Sequence, residues 1–223
     1  MKSLWMTYKG VELWRTPSGY SYTTSRMKLD ADGAPNAYGP ADSGLDYLKN
    51  AGYPGSHWGS VLTPDPADPR RPYVQQTGPT AGFYVSRTSL EDTSHPPTVP
   101  ARYVDATRIP YIVFPGEFYA LKGTGSLGDL AMCRSLANGL STAAVVADRG
   151  PADAPLGEVS LALAAALGGR SPNPRTGAGQ PAGPFQYVIF PGSRHDHPWP
   201  LTPAALDAAA NATLAAAGGW GAF

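Results

Sequence analysis

The sequence predicts a mainly β protein with peripheral helices, and three observations carry that expectation. The 223 residues include 26 glycines and 24 prolines, enough to break the chain into short pieces without reaching the range of disordered chains. Twelve tyrosines and five tryptophans supply the bulky side chains of a packed fold. Between turn signals lie short runs of Val, Ile, Thr and aromatic residues, which is strand chemistry. The length suits one domain over residues 1–223, with its core at about 20–193.

The segment LWMTYKGVELWRTPSGYSYTTSRMKLDADG reads as two or three strands broken at Lys9-Gly10 and Pro17-Ser18-Gly19. A short helix is expected from Ser43 to Asn50, stopped by Gly52. The prolines of LTPDPADPRRPYVQQTGPTAG, residues 62–82, exclude a regular element and predict a long ordered loop. GFYVSRTSL then resumes a strand with Phe83, Val85 and Arg87 on one face. IPYIVFPG (109–116) is echoed by QYVIFPGS (186–193); both read as buried strands ended by Pro-Gly, which would suit two related halves. GDLAMCRSL and LSTAAVVAD flank Asn138-Gly139, a strong hairpin signal. The second of these strands delivers Asp148 to its end, and Arg149-Gly150-Pro151 should stop further pairing. Ser160 is placed to cap a helix over LALAAAL, with Gly168 as its stop. Residues 171–184 form a connection. An Ala-rich helix over 203–217 follows, entered through Thr202 and Pro203 and stopped by Gly218-Gly219.

Composition excludes several classes. Seventeen basic and seventeen acidic residues give zero net charge, so there is no electrostatic footprint for nucleic acid or an anionic membrane. No run is long enough to span a membrane. The single cysteine, Cys133, precludes an internal disulfide and a Cys-based metal cluster, and reads as a small buried apolar residue. The N-terminal MKSLWMTYKGVELWR lacks the apolar run of a secretory signal. Walker and G-x-S-x-G motifs are missing, which leaves P-loop nucleotide and serine-hydrolase chemistry without support.

The chemistry-bearing residues are carboxylates. Asp148 at a strand end, walled by Val and Ala, should be desolvated and kept protonated, as a general acid requires. Glu158, beside a turn and a helix start, meets peptide N–H dipoles that favour the ionised form. Two such groups on opposite sides of a glycosidic bond can divide acid and base roles; either can equally cap local structure. Asp30 and Asp32, two apart in LDADGAP, read as groove carboxylates for an amino group or sugar hydroxyl, or as an Asx turn. Asp105 is read as structural. Tyr38, Tyr47, Tyr53 and Trp58 are candidates for stacking on sugar rings or for anchoring loops. His195 and His197, in SRHDHPW, lack a third metal ligand and are read as a polar loop.

VVADRGP followed by LGEVSLALAAALG resembles the signature of glycoside hydrolase family 75, the endo-chitosanases. LGDLA (127–131) and MKLDADGAPNAY (27–38) also look like segments of that family. The resemblance implies that Asp148 and Glu158 are the catalytic pair, and that a β-1,4-linked amino-sugar polymer is cleaved, with inversion, outside the cell or in the periplasm. The same stretch is similar to rare-lipoprotein-A-like double-psi β-barrels, some of which cleave peptidoglycan. Together the resemblances imply a six-stranded double-psi-like β-barrel whose Asp148 points into a glycan groove. Asp30, Asp32, Tyr38, Trp58 and Arg149 are the expected substrate-binding residues. No metal and no cofactor is expected, and the protein is expected to act as a monomer on chitosan or peptidoglycan strands. The alternatives are a muramidase or lytic transglycosylase, for which Asp148 alone could suffice, and a non-catalytic carbohydrate-binding barrel.

Overall fold

A computed structural model describes residues 1–55 and 57–223. In chain order its elements are β1 (Ser3–Tyr8), β2 (Val11–Thr16), β3 (Gly19–Thr24), β4 (Lys28–Asp30), β5 (Pro64–Asp65), β6 (Asp68–Pro72), β7 (Tyr111–Pro115), α1 (Gly116–Ala120), β8 (Leu130–Ser135), β9 (Ser141–Gly150), β10 (Glu158–Ser160), α2 (Leu161–Ala166), β11 (Phe185–Ile189) and α3 (Pro203–Ala216). The protein is mainly β. Nine strands form one sheet in the order β1-β2-β3-β11-β8-β9-β7-β10-β4. Its hydrogen-bonded order is open, with β1 and β4 as the two ends. No helix among the described residues is long and apolar enough to cross a membrane.

Local chemistry explains the well-anticipated elements. β1, β2 and β3 are antiparallel neighbours, and the turn at Lys9-Gly10 is left-handed at both residues (φ 45° and 81°). β8 and β9 pair antiparallel around Gly139, at φ 77°. The Ser160 hydroxyl caps α2 by accepting from the Leu163 N–H at 3.1 Å, and Gly168 (φ 101°) follows its end. Thr202 caps α3 through the Ala205 N–H at 3.2 Å. Cys133 is buried and free.

Elsewhere tertiary contacts overrule local pattern. Residues 43–50 form turns rather than a helix. Their N–H groups are drawn back to the preceding chain, Leu45 to the Asn36 carbonyl and Asp46 to that of Ala37. Within 62–82, β5 and β6 form a two-stranded ribbon, in which prolines are tolerated because each strand has a free edge. Residues 83–87 make isolated bridges, Val74 to Tyr84 and Leu62 to Ser86, instead of a strand. Tyr84, Val85 and Ser86 are all buried, so the one-faced alternation is lost. β9 runs two residues past Asp148, because Arg149 and Gly150 pair with Phe114 and Pro115 of β7. The echoed strands are both fully buried. β7 lies between a parallel and an antiparallel neighbour, whereas β11 lies between two antiparallel ones. The echo therefore reflects burial and termination rather than equivalent pairing.

One continuous buried cluster runs from Tyr8 to Phe223. Phe118 of α1 ties distant parts of it together. Its ring meets Tyr8 at 5.0 Å, Tyr20 of β3 at 6.5 Å and Phe114 of β7 at 4.9 Å, each edge-on. Three strands separate β3 from β7 in the sheet order, so one ring touching both requires a strongly curled sheet. Phe118→Ala is expected to lower unfolding stability by about 3–5 kcal/mol, read as a fall in the urea midpoint at unchanged slope.

Candidate functional site

Register brings the carboxylates together. Glu158 lies opposite Lys28 of β4 on one side and Val113 of β7 on the other. Val113 in turn lies opposite Asp148. Lys28, Glu158, Val113 and Asp148 thus form a row across four adjacent strands, all on one face. Asp148 joins this row only because of a β-bulge. Ile112 pairs with Val146 and Val113 with Asp148, leaving Ala147 as an extra residue. Without it Asp148 would face the other side. The carbonyl of Ala147 is not lost, since the Leu90 N–H donates to it at 2.8 Å.

Two glycines make room. A Cβ at Gly150 would stand 3.3 Å from Glu158 Oε2 and 3.2 Å from Val113 Cγ1. At Gly157, where φ is 106°, a Cβ would meet the Arg26 carbonyl at 2.4 Å. Behind the row, the Ser160 hydroxyl accepts from the Tyr111 N–H and donates to the Ile109 carbonyl, both at 2.9 Å. One hydroxyl therefore caps α2 and fastens β10 to β7.

Asp30, Asp32 and Asp148 each bring one carboxyl oxygen to within 4.8 Å of the others. Asp30 closes an Asx turn by accepting from the Asp32 N–H at 2.9 Å, and its other oxygen lies 3.1 Å from the Tyr111 hydroxyl. Asp32 accepts from the Tyr38 hydroxyl at 2.7 Å. Asp148 Oδ1 accepts from the Ser89 N–H, the Ser89 hydroxyl and the Arg149 N–H. Burial, then mutual charge with Glu158 and Asp148, pushes the Asp30 carboxyl far above its ordinary value. Asp32 is pushed up the same way, by burial and then by Asp30 and Asp148. Burial also raises Asp148, to about 6, against the opposing hydrogen bonds of Ser89 and Arg149. Glu158 is instead paired with the Lys28 ammonium at 2.8 Å. Desolvation acts to lower the Lys28 pKa, but the charge and hydrogen bond of Glu158 outweigh it and the pKa ends raised.

The spacing of the three aspartates would admit a cation. Calcium takes six to eight oxygens, and here three side chains converge, with several of their oxygens already spent on donors from the chain. We read them as carboxyls that hold protons.

The expected binding residues fall in unlike places. Asp30 and Asp32 stand beside Asp148. Tyr38 is only 2% exposed, and it offers the cluster its hydroxyl rather than a ring face. Trp58 packs edge-on against Tyr53 at 5.8 Å. Arg149 lays its exposed guanidinium over the Tyr119 ring at 5.1 Å. Asp105 accepts from the N–H and hydroxyl of Thr107, a local turn. Three contributors escape sequence reasoning: Lys28, Ser89 and Tyr111. The period of two in MKLDAD puts Lys28 on the face of Asp30 and could have revealed it. Ser89 and Tyr111 have no local signal. No family model matches the chain, and no curated protein matches it.

A buried carboxyl whose pKa is raised by folding has a signed effect on stability. The folded state holds the Asp148 proton more tightly, so its contribution to stability is fully present below about pH 4 and is lost as pH rises through about 6. A rise from 3.8 to about 6 corresponds to about 3 kcal/mol. Asp148→Asn is therefore expected to raise the thermal midpoint at pH 8 and to leave it nearly unchanged at pH 3.5, in unfolding scans run at both pH values.

Proposed function

We propose that the protein is an endo-acting glycoside hydrolase of β-1,4-linked amino-sugar polymers, with chitosan as the substrate class. The observation that carries this reading is the pairing of unlike carboxyls across β7. Asp148 holds its proton to about pH 6, and Glu158 is ion-paired to Lys28. Their strands are two steps apart, roughly 10 Å between backbones. Carboxyls projecting from one face at that strand spacing suit an inverting enzyme, whose carboxyls stand about 6.5–9.5 Å apart with a water between. In this mechanism Asp148 protonates the glycosidic oxygen as the bond to the anomeric carbon breaks. Glu158 takes a proton from the water that attacks that carbon from the opposite face. Glu158 then releases its proton to solvent, and solvent returns one to Asp148.

The charge pattern supports a cationic sugar. The chain is neutral as a whole, yet four carboxyls gather around one ammonium. A bound amino-sugar ammonium would favour the ionised forms of Asp30 and Asp32 against the burial, and then the mutual charge, that raise them. The family reading carries a fold with it, the six-stranded double-psi-like barrel. Two parallel contacts among antiparallel ones, β7 with β9 and β10 with β4, and the curl spanned by Phe118 support it.

The test is mass spectrometry of products from chitosan and, separately, peptidoglycan. Wild type is expected to release glucosamine oligomers, with activity falling as pH rises through about 6 and surviving EDTA. Asp148→Asn and Glu158→Gln should each lower turnover by at least about 100-fold. Muropeptides instead of glucosamine oligomers would replace the substrate, and no product from either polymer would end the enzyme reading.

A further inference from the structure

The two carboxyl oxygens of Asp148 have unlike surroundings. Oδ1 accepts from the Ser89 N–H at 2.8 Å, the Ser89 hydroxyl at 2.6 Å and the Arg149 N–H at 2.8 Å. The direction of the hydroxyl bond is fixed, because the Ser89 and Arg149 N–H groups cannot reverse and leave Oδ1 no place for a proton of its own; the same Ser89 oxygen also accepts from the Arg149 N–H at 3.2 Å. Its hydrogen is left for Asp148. An oxygen that already accepts three donors has no free lone pair for a proton. Oδ2 has no donor among the described residues and is not sealed from solvent. We propose that Ser89 is a positioning residue of this site, fixing the acidic proton of Asp148 on Oδ2, the one oxygen free to face a substrate. The proposal rests on the reading of Asp148 as the general acid.

The segment that carries Ser89 is held independently of its hydroxyl. The Thr88 hydroxyl donates to the Leu90 carbonyl at 2.8 Å and accepts from the Val104 N–H at 2.9 Å. The Leu90 N–H donates to Ala147 at the bulge. Removing the Ser89 hydroxyl therefore takes one donor from Asp148 and leaves the support in place. The other charged or titratable groups around Asp148 are Asp30 at the end of β4, Asp32 beyond it, Tyr111 of β7, Glu158 of β10, Tyr119 of α1 and Arg149.

Ser89→Ala and Ser89→Thr would be compared with wild type in two measurements. The first is the pH profile of kcat and KM on chitosan. The second is the titration of the Asp148 carboxyl by 13C NMR, its signal identified by its loss in Asp148→Asn. Ser89→Ala should lower kcat about ten- to a hundredfold with KM little changed. It should also move the alkaline limb and the NMR midpoint to higher pH, because the carboxylate form has lost a donor. Ser89→Thr should restore both. An NMR midpoint unmoved in Ser89→Ala, or a threonine variant as impaired as the alanine one, overturns the role of Ser89. If wild type cleaves neither chitosan nor peptidoglycan, the glycosidase reading falls alone. The NMR midpoint then still decides whether Ser89 governs the Asp148 proton.

Discussion

The site depends on one extra residue in one strand. The bulge at Ala147 changes the facing of β9 at the point where Asp148 arrives, and every later feature assumes that change. A carboxyl delivered to the opposite face would stand with Ile112 and Phe114, which are fully buried. The bulge survives because its exposed backbone is satisfied from outside the sheet, by the Leu90 N–H. The long excursion between β4 and β7 is thus part of the site's construction. It holds the strand in its irregular form, and one residue earlier it presents Ser89 to the carboxyl that the irregularity has turned.

Electrostatics work against the fold here. Asp30, Asp32 and Asp148 are brought together in surroundings that disfavour charge, and burial is the leading cause of each raised pKa. Carboxyls so placed keep protons that solvated ones would lose. The hydrogen bonds from Ser89, Arg149, Tyr38 and Tyr111 act in the opposite sense for the aspartates they touch, so the cluster is strained but not uncontrolled. Lys28 does a separate task at the end of the row by neutralising Glu158. Unlike partners thus divide chemically similar side chains into unlike groups, the condition for acid and base roles at a single pH.

Legibility followed the range of the interaction. Asn138-Gly139, the Ser160 cap and the Pro203 helix start are decided within a few residues, and all appear where local chemistry puts them. The helix expected over 43–50 fails because Leu45 and Asp46 bond to Asn36 and Ala37, a choice invisible in a local window. The carboxylates were legible as residue types with characteristic spacing, but their meeting was not. Asp30 reaches Asp148 across β10 and β7, strands contributed by later parts of the chain. Ser89 is less legible still, since a serine in a proline-rich loop is ordinary until register shows which carboxyl it meets. A Tyr ring in such a loop is equally ambiguous, and Tyr38 resolved towards its hydroxyl.

The interval between the two principal carboxyls has a geometric reason. β9 is parallel to β7, and β10 is antiparallel to β7, so β9 and β10 run opposite ways with β7 between them. The chain leaving Gly150 must therefore pass the end of β7 and return on its far side, a step that a two-residue hairpin turn cannot make. Residues 151–157 make that crossing. They are fastened where they pass, the Glu117 N–H at the start of α1 donating to the Ala152 carbonyl at 2.9 Å. Gly157 then permits the close approach to Arg26 that starts the pairing of β10 with β4. The result is a carboxyl on each flank of β7 with Val113, a short apolar side chain, as the floor between them. An intervening strand is a stiffer spacer than any loop, because its width is set by two rows of backbone hydrogen bonds. The separation of the carboxyls is consequently a property of the sheet, and substitutions in the 151–157 crossing would alter how the pair is assembled more than how far apart it stands.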